Sequence, residues 1–169
     1  MNEQTFSFTN TSNDQYILSL SQDGDKFLSA EVSDVLKENG IEIWRILLLR
    51  KGREETVTSI SLLTAISNSI TLFVLQHPNA ILYYQCDDMD DVPMNLRKKN
   101  SGVSVQKYRS MLFSLLFEKQ TKYLPLDVVN VPIFFDFMGH ETYIHILARE
   151  EHIQFVDIIK NDIKQGFDK

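Results

Sequence analysis

The chain predicts an α+β domain: a mixed, mainly antiparallel sheet with about three helices packed on it. Three observations carry that prediction. Short apolar or alternating segments, separated by Asn, Asp and Gly clusters, recur over residues 6–50 and again over 131–148, the pattern of strands and turns. Three longer stretches, 56–75, 104–122 and 150–164, instead repeat apolar residues every three or four positions, the period of an amphipathic helix. The 169 residues hold no internal repeat and no low-complexity linker, and a chain of that length fills one continuous core. A single domain over 1–169 is expected.

The elements follow in order. Phe6–Thr9 and Gln15–Leu20 alternate on either side of 10–14 and open the chain as a hairpin. Gln22-Asp-Gly-Asp25 is a turn cluster, because Gly and Asp tolerate the backbone angles of a reversal. Residues 26–36 satisfy two patterns at once. Phe27, Val32 and Val35 suit a strand, whereas 31–38 suits a short helix; the reading is strand then turn, closed by Asn39-Gly40. Ile41–Arg50, rich in Ile and Leu and holding the single Trp, is a strand.

The 56–75 helix places Ile60, Leu63, Ile66, Ile70 and Phe73 on one face, and His77-Pro78 stops it, since a residue before proline is pushed out of helical geometry. Ala80–Cys86 has the length and composition of a strand, and 87–102 is a polar loop. In the 104–122 helix Val105, Tyr108, Leu112, Leu115 and Lys119 follow one stripe, widened by Met111, Leu116 and Phe117. Val131–Phe137 and Thr142–Ala148 form a hairpin across 138–141. The 150–164 helix turns Ile153, Val156, Ile159 and Ile163 inward, with two acids at its start and lysines near its end, as the helix dipole favours. The order is β-β-β-β-α-β-α-β-β-α.

Composition excludes several classes. A hydrophobic fraction of 43% with 24% charged residues is neither disordered nor collagen-like. The lone Cys86 excludes a disulfide scaffold and a multi-cysteine zinc site. The first residues have neither a basic nor an apolar run, so no signal peptide is expected. Residues 56–86 carry no Asp, Glu, Lys or Arg, but Ser and Thr interrupt the stretch too often for a membrane helix. A cytoplasmic protein is the expectation.

The net charge of −6 is unevenly spread: −8 over residues 1–91, +6 over 92–126 and −4 over 127–169. The total argues against general polyanion binding, but the basic stretch reopens that for one face.

Four features are candidates for chemistry. Asp87, Asp88, Asp90 and Asp91 follow a strand, and clustered carboxylates are hard-cation ligands. The glycine and distal glutamate of a calcium loop are missing, so a solvated acidic loop is the simpler reading. Arg97, Lys98, Lys99, Lys107 and Arg109 surround the 101–104 helix start, where amides and basic side chains can hold a phosphate or nucleic acid. Neutralisation of the adjoining acidic loop competes with that reading.

The third feature is the last hairpin. With a Gly139-His140 turn, Asp136 stands opposite Tyr143 and diagonal to His145, a group suited to general acid–base work or to a satisfied hydrogen bond in a half-exposed sheet. The fourth is the uncharged Ser/Thr face of the 56–75 helix, which suits cover by another element or by a second subunit.

Two resemblances add expectations. Ile81-Leu-Tyr-Tyr-Gln-Cys-Asp87, Arg109-Ser-Met-Leu-Phe113 and Ile146-Leu-Ala-Arg149 resemble a family of small uncharacterised bacterial proteins, which implies no activity. From residue 41 onward, the order β-α-β-α-β-β, with Leu116-Phe-Glu-Lys119 late in the second helix, is similar to the cofactor-binding half of GNAT acetyltransferases. That likeness implies a degenerate GNAT-like fold, acetyl-CoA as ligand, and Arg50, Lys51, Gly52 and Arg53 as its phosphate-binding turn. The turn holds one glycine, where the family has a Gly-rich loop.

The leading expectation is a non-catalytic interaction or regulatory module without a cofactor, acting through a protein partner or self-association. Acyl-CoA binding at 50–59 is the first alternative, and nucleic-acid or phosphate binding through 97–109 the second.

Overall fold

The computed structural model describes residues 2–11, 13, 15–22, 24–51, 59–86, 101–122 and 127–167. Strands β1 (Glu3–Thr9) and β2 (Gln15–Ser21) lead through a short 3-10 turn (Gly24–Phe27) to helix α1 (Ala30–Glu38) and strand β3 (Glu42–Lys51). Helix α2 (Ile60–Gln76), strand β4 (Ala80–Cys86), helix α3 (Val105–Thr121) and strands β5 (Val128–Phe137) and β6 (His140–Arg149) follow. A 3-10 turn (Glu150–His152) then runs into helix α4 (Ile153–Phe167). The sheet order is β1-β2-β3-β4-β6-β5. Neighbours are antiparallel except β3 and β4, which are parallel and joined by α2. The expected α+β class and mixed, mainly antiparallel sheet are present.

The sheet has an apolar surface on each side, because alternate residues of every central strand point to opposite faces. One face packs Tyr16, Leu18, Leu20, Trp44, Ile46, Leu82 and Leu147 under α2, with Phe113 and Phe117 of α3 beside them. The other packs Ile43, Ile81, Ile133, Ile144 and Ile146 under α1 and α4, where Leu36, Val156, Ile159 and Ile163 close the layer. Ser59 and Ser104 cap α2 and α3, their hydroxyls accepting from the amides of Leu62 and Lys107. Each satisfies one of the amides a helix start leaves open.

The strand expected within 26–36 is instead the 3-10 turn followed by α1. A helix gathers Val32, Val35 and Leu36 on one side, whereas a strand would turn Val35 away from the other two; Val32 and Leu36 pack on the α1/α4 side of the core. Ser29 caps α1 through the Val32 amide, and Asp162 of α4 accepts from both the amide and the hydroxyl of Ser29. That tie to a distant helix decided a segment whose local pattern was balanced.

The face of α3 is rotated from expectation, whereas those of α2 and α4 are buried as expected except at their first residues. Ile60, at the first position of α2, is 68% exposed, and Leu115 of α3 is 65% exposed, whereas Arg109, Ser110 and Gln120 of α3 are buried. Ile153 of α4 is likewise exposed. In α3 the rotation follows from contacts with the sheet. Phe113 stacks on Tyr84 with ring centroids 5.0 Å apart and meets His145 at 4.7 Å. None of the helices among the described residues is long and apolar enough to cross a membrane.

Candidate functional site

The parallel ladder of β3 and β4 runs from Glu42↔Ala80 to Ile46↔Tyr84 and ends there. Beyond it β3 stays with β2 as far as Lys51↔Gln15, while β4 stays with β6 as far as Cys86↔Tyr143. The two strands part company at their carboxyl ends. Side chains must bridge that gap, since backbone pairing no longer does.

The bridge comes from α2 and α3, and it is incomplete. A partly enclosed cavity of about 70 Å³ remains between the two helices and the sheet. Leu18, Ile46, Leu48 and Leu147 form its floor, Leu63, Ile66, Ile70 and Val74 the α2 wall, and Leu112, Phe113, Leu116 and Phe117 the α3 wall. Polar groups reach it at Ser67, Thr71, Tyr84 and Arg109. A lining this largely apolar suits apolar guests; the engineered cavity that binds benzene has roughly twice the volume, about 150 Å³.

Next to the cleft lies a buried polar chain. His145 is fully buried (0% exposed) on β6. Its Nδ1 is 3.0 Å from Asn130 Oδ1 and its Nε2 is 2.8 Å from Ser110 Oγ. An amide oxygen only accepts, so Nδ1 carries the proton and Nε2 accepts from the serine hydroxyl. Burial lowers the pKa of His145 to about 4, because the imidazolium would lose its hydration. The ring is neutral at pH 7, and both nitrogens are satisfied.

The register of the last hairpin sets who meets His145. The turn is Met138-Gly139, with both residues at positive φ (52° and 82°), so Asp136 faces Glu141, Phe134 faces Tyr143 and Pro132 faces His145. Against a Gly139-His140 turn this is a slip of two residues, which keeps the faces but changes the neighbours. Asp136 accepts from the Gly139 amide at 3.0 Å, and Asn130 takes the place beside His145. Tyr143 belongs to a separate group. Its pKa is raised by burial, then by the charge of Glu141 and its hydrogen bond to that carboxylate, and by Asp136. Glu141 also accepts from the Ser104 hydroxyl at 2.6 Å, so a carboxylate of the chain already sits at the start of α3.

The remaining candidates scatter. Arg50 lies on β3 with its guanidinium 5.6 Å from the Tyr16 ring centroid, and Lys51 ends the strand, exposed. Gly52 and Arg53 fall outside the described residues, as do Arg97, Lys98, Lys99 and Asp87, Asp88, Asp90 and Asp91. Lys107 is exposed in the first turn of α3, and Arg109, one half-turn on, is buried against the cleft. Among the described residues, no three His, Cys, Asp or Glu side chains come together in a metal-binding group. Cys86 is a buried thiol.

Ser110 and Asn130 were not anticipated. Asn130 carried a signal: it is the one polar residue in the run Val128-Val-Asn-Val-Pro-Ile133, and a polar group inside a buried strand needs a partner. Ser110 carried none, because serine on a helix is ordinary.

Fold and cleft together define the class as an α+β domain with an apolar cleft where a parallel strand pair opens. Compared with known proteins, the chain matches no family model, and neither a curated protein nor a solved structure is similar to it at a significant level.

Proposed function

We propose that this domain is a non-catalytic binding module that takes a small molecule with an apolar body between α2 and α3. The observation that carries the reading is the coincidence of the cavity with the end of the β3/β4 ladder. Ligands of α/β sheets gather beside the carboxyl ends of parallel strands, where neighbouring connections diverge, and small-molecule sites are concave, mainly apolar and sparsely polar. The histidine beside the cleft supports binding over catalysis, since both of its nitrogens are held within the core.

A thermal-shift series with 1-hexanol, 1-octanol and 1-decanol tests the reading. At a hundredfold excess over Kd, a ligand bound only to the native state stabilises it by about 2.7 kcal/mol, or roughly 5–10 °C for a domain of this size. Ser67→Leu, which fills the cleft, should abolish the shift while the protein stays folded by circular dichroism. No shift with any of the alcohols, or an equal shift in Ser67→Leu, rejects the reading.

A second reading, acyl-CoA binding, is favoured by the order of elements around the parting strands and by Arg50 on β3. Its ligand would place an acyl chain in the same cleft and its phosphates near Arg50–Arg53. Calorimetric titration with CoA and acetyl-CoA separates the two. Saturable binding weakened by Arg50→Ala or Arg53→Ala favours the acyl-CoA reading over the first. A protein partner or a second copy would anchor elsewhere, on Met111, Leu115 and Phe134, which are exposed around an open groove between α3 and β5. Light scattering that shows only a monomer at high concentration removes the second copy.

A further inference from the structure

Resting on the cleft reading above, we infer that the molecule taken there is an aliphatic alcohol, its chain against the apolar walls and its hydroxyl between Ser67 and Thr71 of α2. Both residues line the cavity, and Thr71 is only 8% exposed. Elsewhere on the helix, Thr64 and Ser69 donate their hydroxyls to the carbonyls of Ile60 and Ala65, one turn earlier. Among the described residues, Ser67 and Thr71 make no side-chain hydrogen bond of this or any other kind. A buried hydroxyl without a partner is costly, and the oxygen of a guest supplies the partner that the chain does not.

The rest of the lining favours an uncharged guest. Arg109 and Tyr84 also face the cavity, but each already engages another part of the chain, so neither is held in reserve for a ligand. Among the described residues, no Asp, Glu or Lys lines the cavity. A carboxylate or an ammonium entering here would leave water for a wall of Leu, Ile, Val and Phe, and burying a charge without a partner costs far more than burying a hydroxyl.

Spacing singles out a hydroxyl. Residues four apart on a helix stand about 5–6 Å apart at Cβ, a separation that one oxygen can bridge with two bonds of about 2.8 Å. A hydroxyl both donates and accepts, so it can accept from one of the pair while donating to the other. The volume of about 70 Å³ corresponds to roughly two water-sized units at about 30 Å³ each. The cavity as it stands holds the end of a chain, and a longer chain must part α2 from α3.

The experiment compares four probes of equal chain length, 1-hexanol, n-hexane, sodium hexanoate and hexylamine, by concentration-dependent thermal shift on the full chain. Wild type, Thr71→Val and the double variant Ser67→Ala/Thr71→Val are each measured; valine keeps the shape of threonine without its hydroxyl. Hexanoate and hexylamine should bind wild type at least tenfold more weakly than hexanol, since a charge is far costlier to bury. Thr71→Val should weaken hexanol about fivefold, the worth of one ordinary hydrogen bond, and the double variant further, with hexane unchanged throughout. The alcohol assignment is overturned, with the cleft still standing, if either ion matches hexanol, if hexane binds where hexanol does not, or if the variants leave hexanol unchanged or weaken hexane as much. If neither hexanol nor hexane binds, the cleft reading itself fails. The wild-type comparison with the two ions needs no variant, so a misfolded Thr71→Val does not shelter the proposal.

Discussion

The buried histidine predicts how this domain responds to acid. His145 has a native pKa of about 4 and an unfolded value near 6.5. Between those limits the unfolded chain binds a proton that the native state refuses, so stability falls as the pH falls. The contribution is fully present above the unfolded pKa and is lost as the pH drops through the native one. The full difference of about 2.5 units at about 1.36 kcal/mol each is on the order of 3 kcal/mol; about 2 kcal/mol of it disappears between pH 7 and pH 5.

Other groups also titrate in that range, so the measurement must be differential. Urea unfolding, followed by fluorescence of the buried Trp44, is run at pH 7, 6, 5 and 4.5 on wild type and on His145→Gln, which keeps a donor and an acceptor but does not titrate. Wild type should lose about 2 kcal/mol more than the variant over pH 7 to 5. Parallel losses refute the reasoning. So does an NMR titration placing the wild-type His145 pKa near 6.5, a measurement that stands even if His145→Gln does not fold.

Further predictions concern packing and the turn. Ser110→Ala leaves His145 Nε2 as a buried acceptor without its hydroxyl and should cost about 1–3 kcal/mol; an unchanged urea midpoint contradicts the assigned tautomer and bond. Leu147→Ala, at the floor of the cleft and 2% exposed, should cost about 2–5 kcal/mol, whereas Leu115→Ser on the outer side of α3 should stay within about 0.5 kcal/mol. Reversed magnitudes would mean that α3 is turned the other way. Met138 is 91% exposed and holds φ at 52°, so Met138→Asn should relieve about 1 kcal/mol of left-handed strain and raise Tm by roughly 2–4 °C. A lower Tm would count against the turn assignment.

Much of the sheet was legible because strand signals are local. Gln15–Leu20, Ile41–Arg50 and Ala80–Cys86 are apolar enough that few other states could bury them, and the observed strands differ from them by a residue or so at the ends. The 104–122 helix was legible as a helix but not in its rotation. Its stripe of Leu and Met is broad on all sides, so hydrophobicity alone selects no face. Ser110, Arg109 and Phe113 are turned inward by what stands opposite, namely His145, the cleft and Tyr84. The 26–36 segment failed for a related reason: a balanced local pattern was settled by Asp162, more than 120 residues later.

By itself, then, the sequence determined the class of fold and the order of nearly all its elements, since period and composition act over short distances. It also isolated Arg109 and His145 as residues of interest, though not for the roles their surroundings give them. Only tertiary structure decided the two-residue slip of the last hairpin, the Asn130–His145–Ser110 chain and the parting of β3 from β4. Each of these depends on contacts between segments far apart in sequence, where a shift of one or two residues leaves the local pattern intact but changes every neighbour.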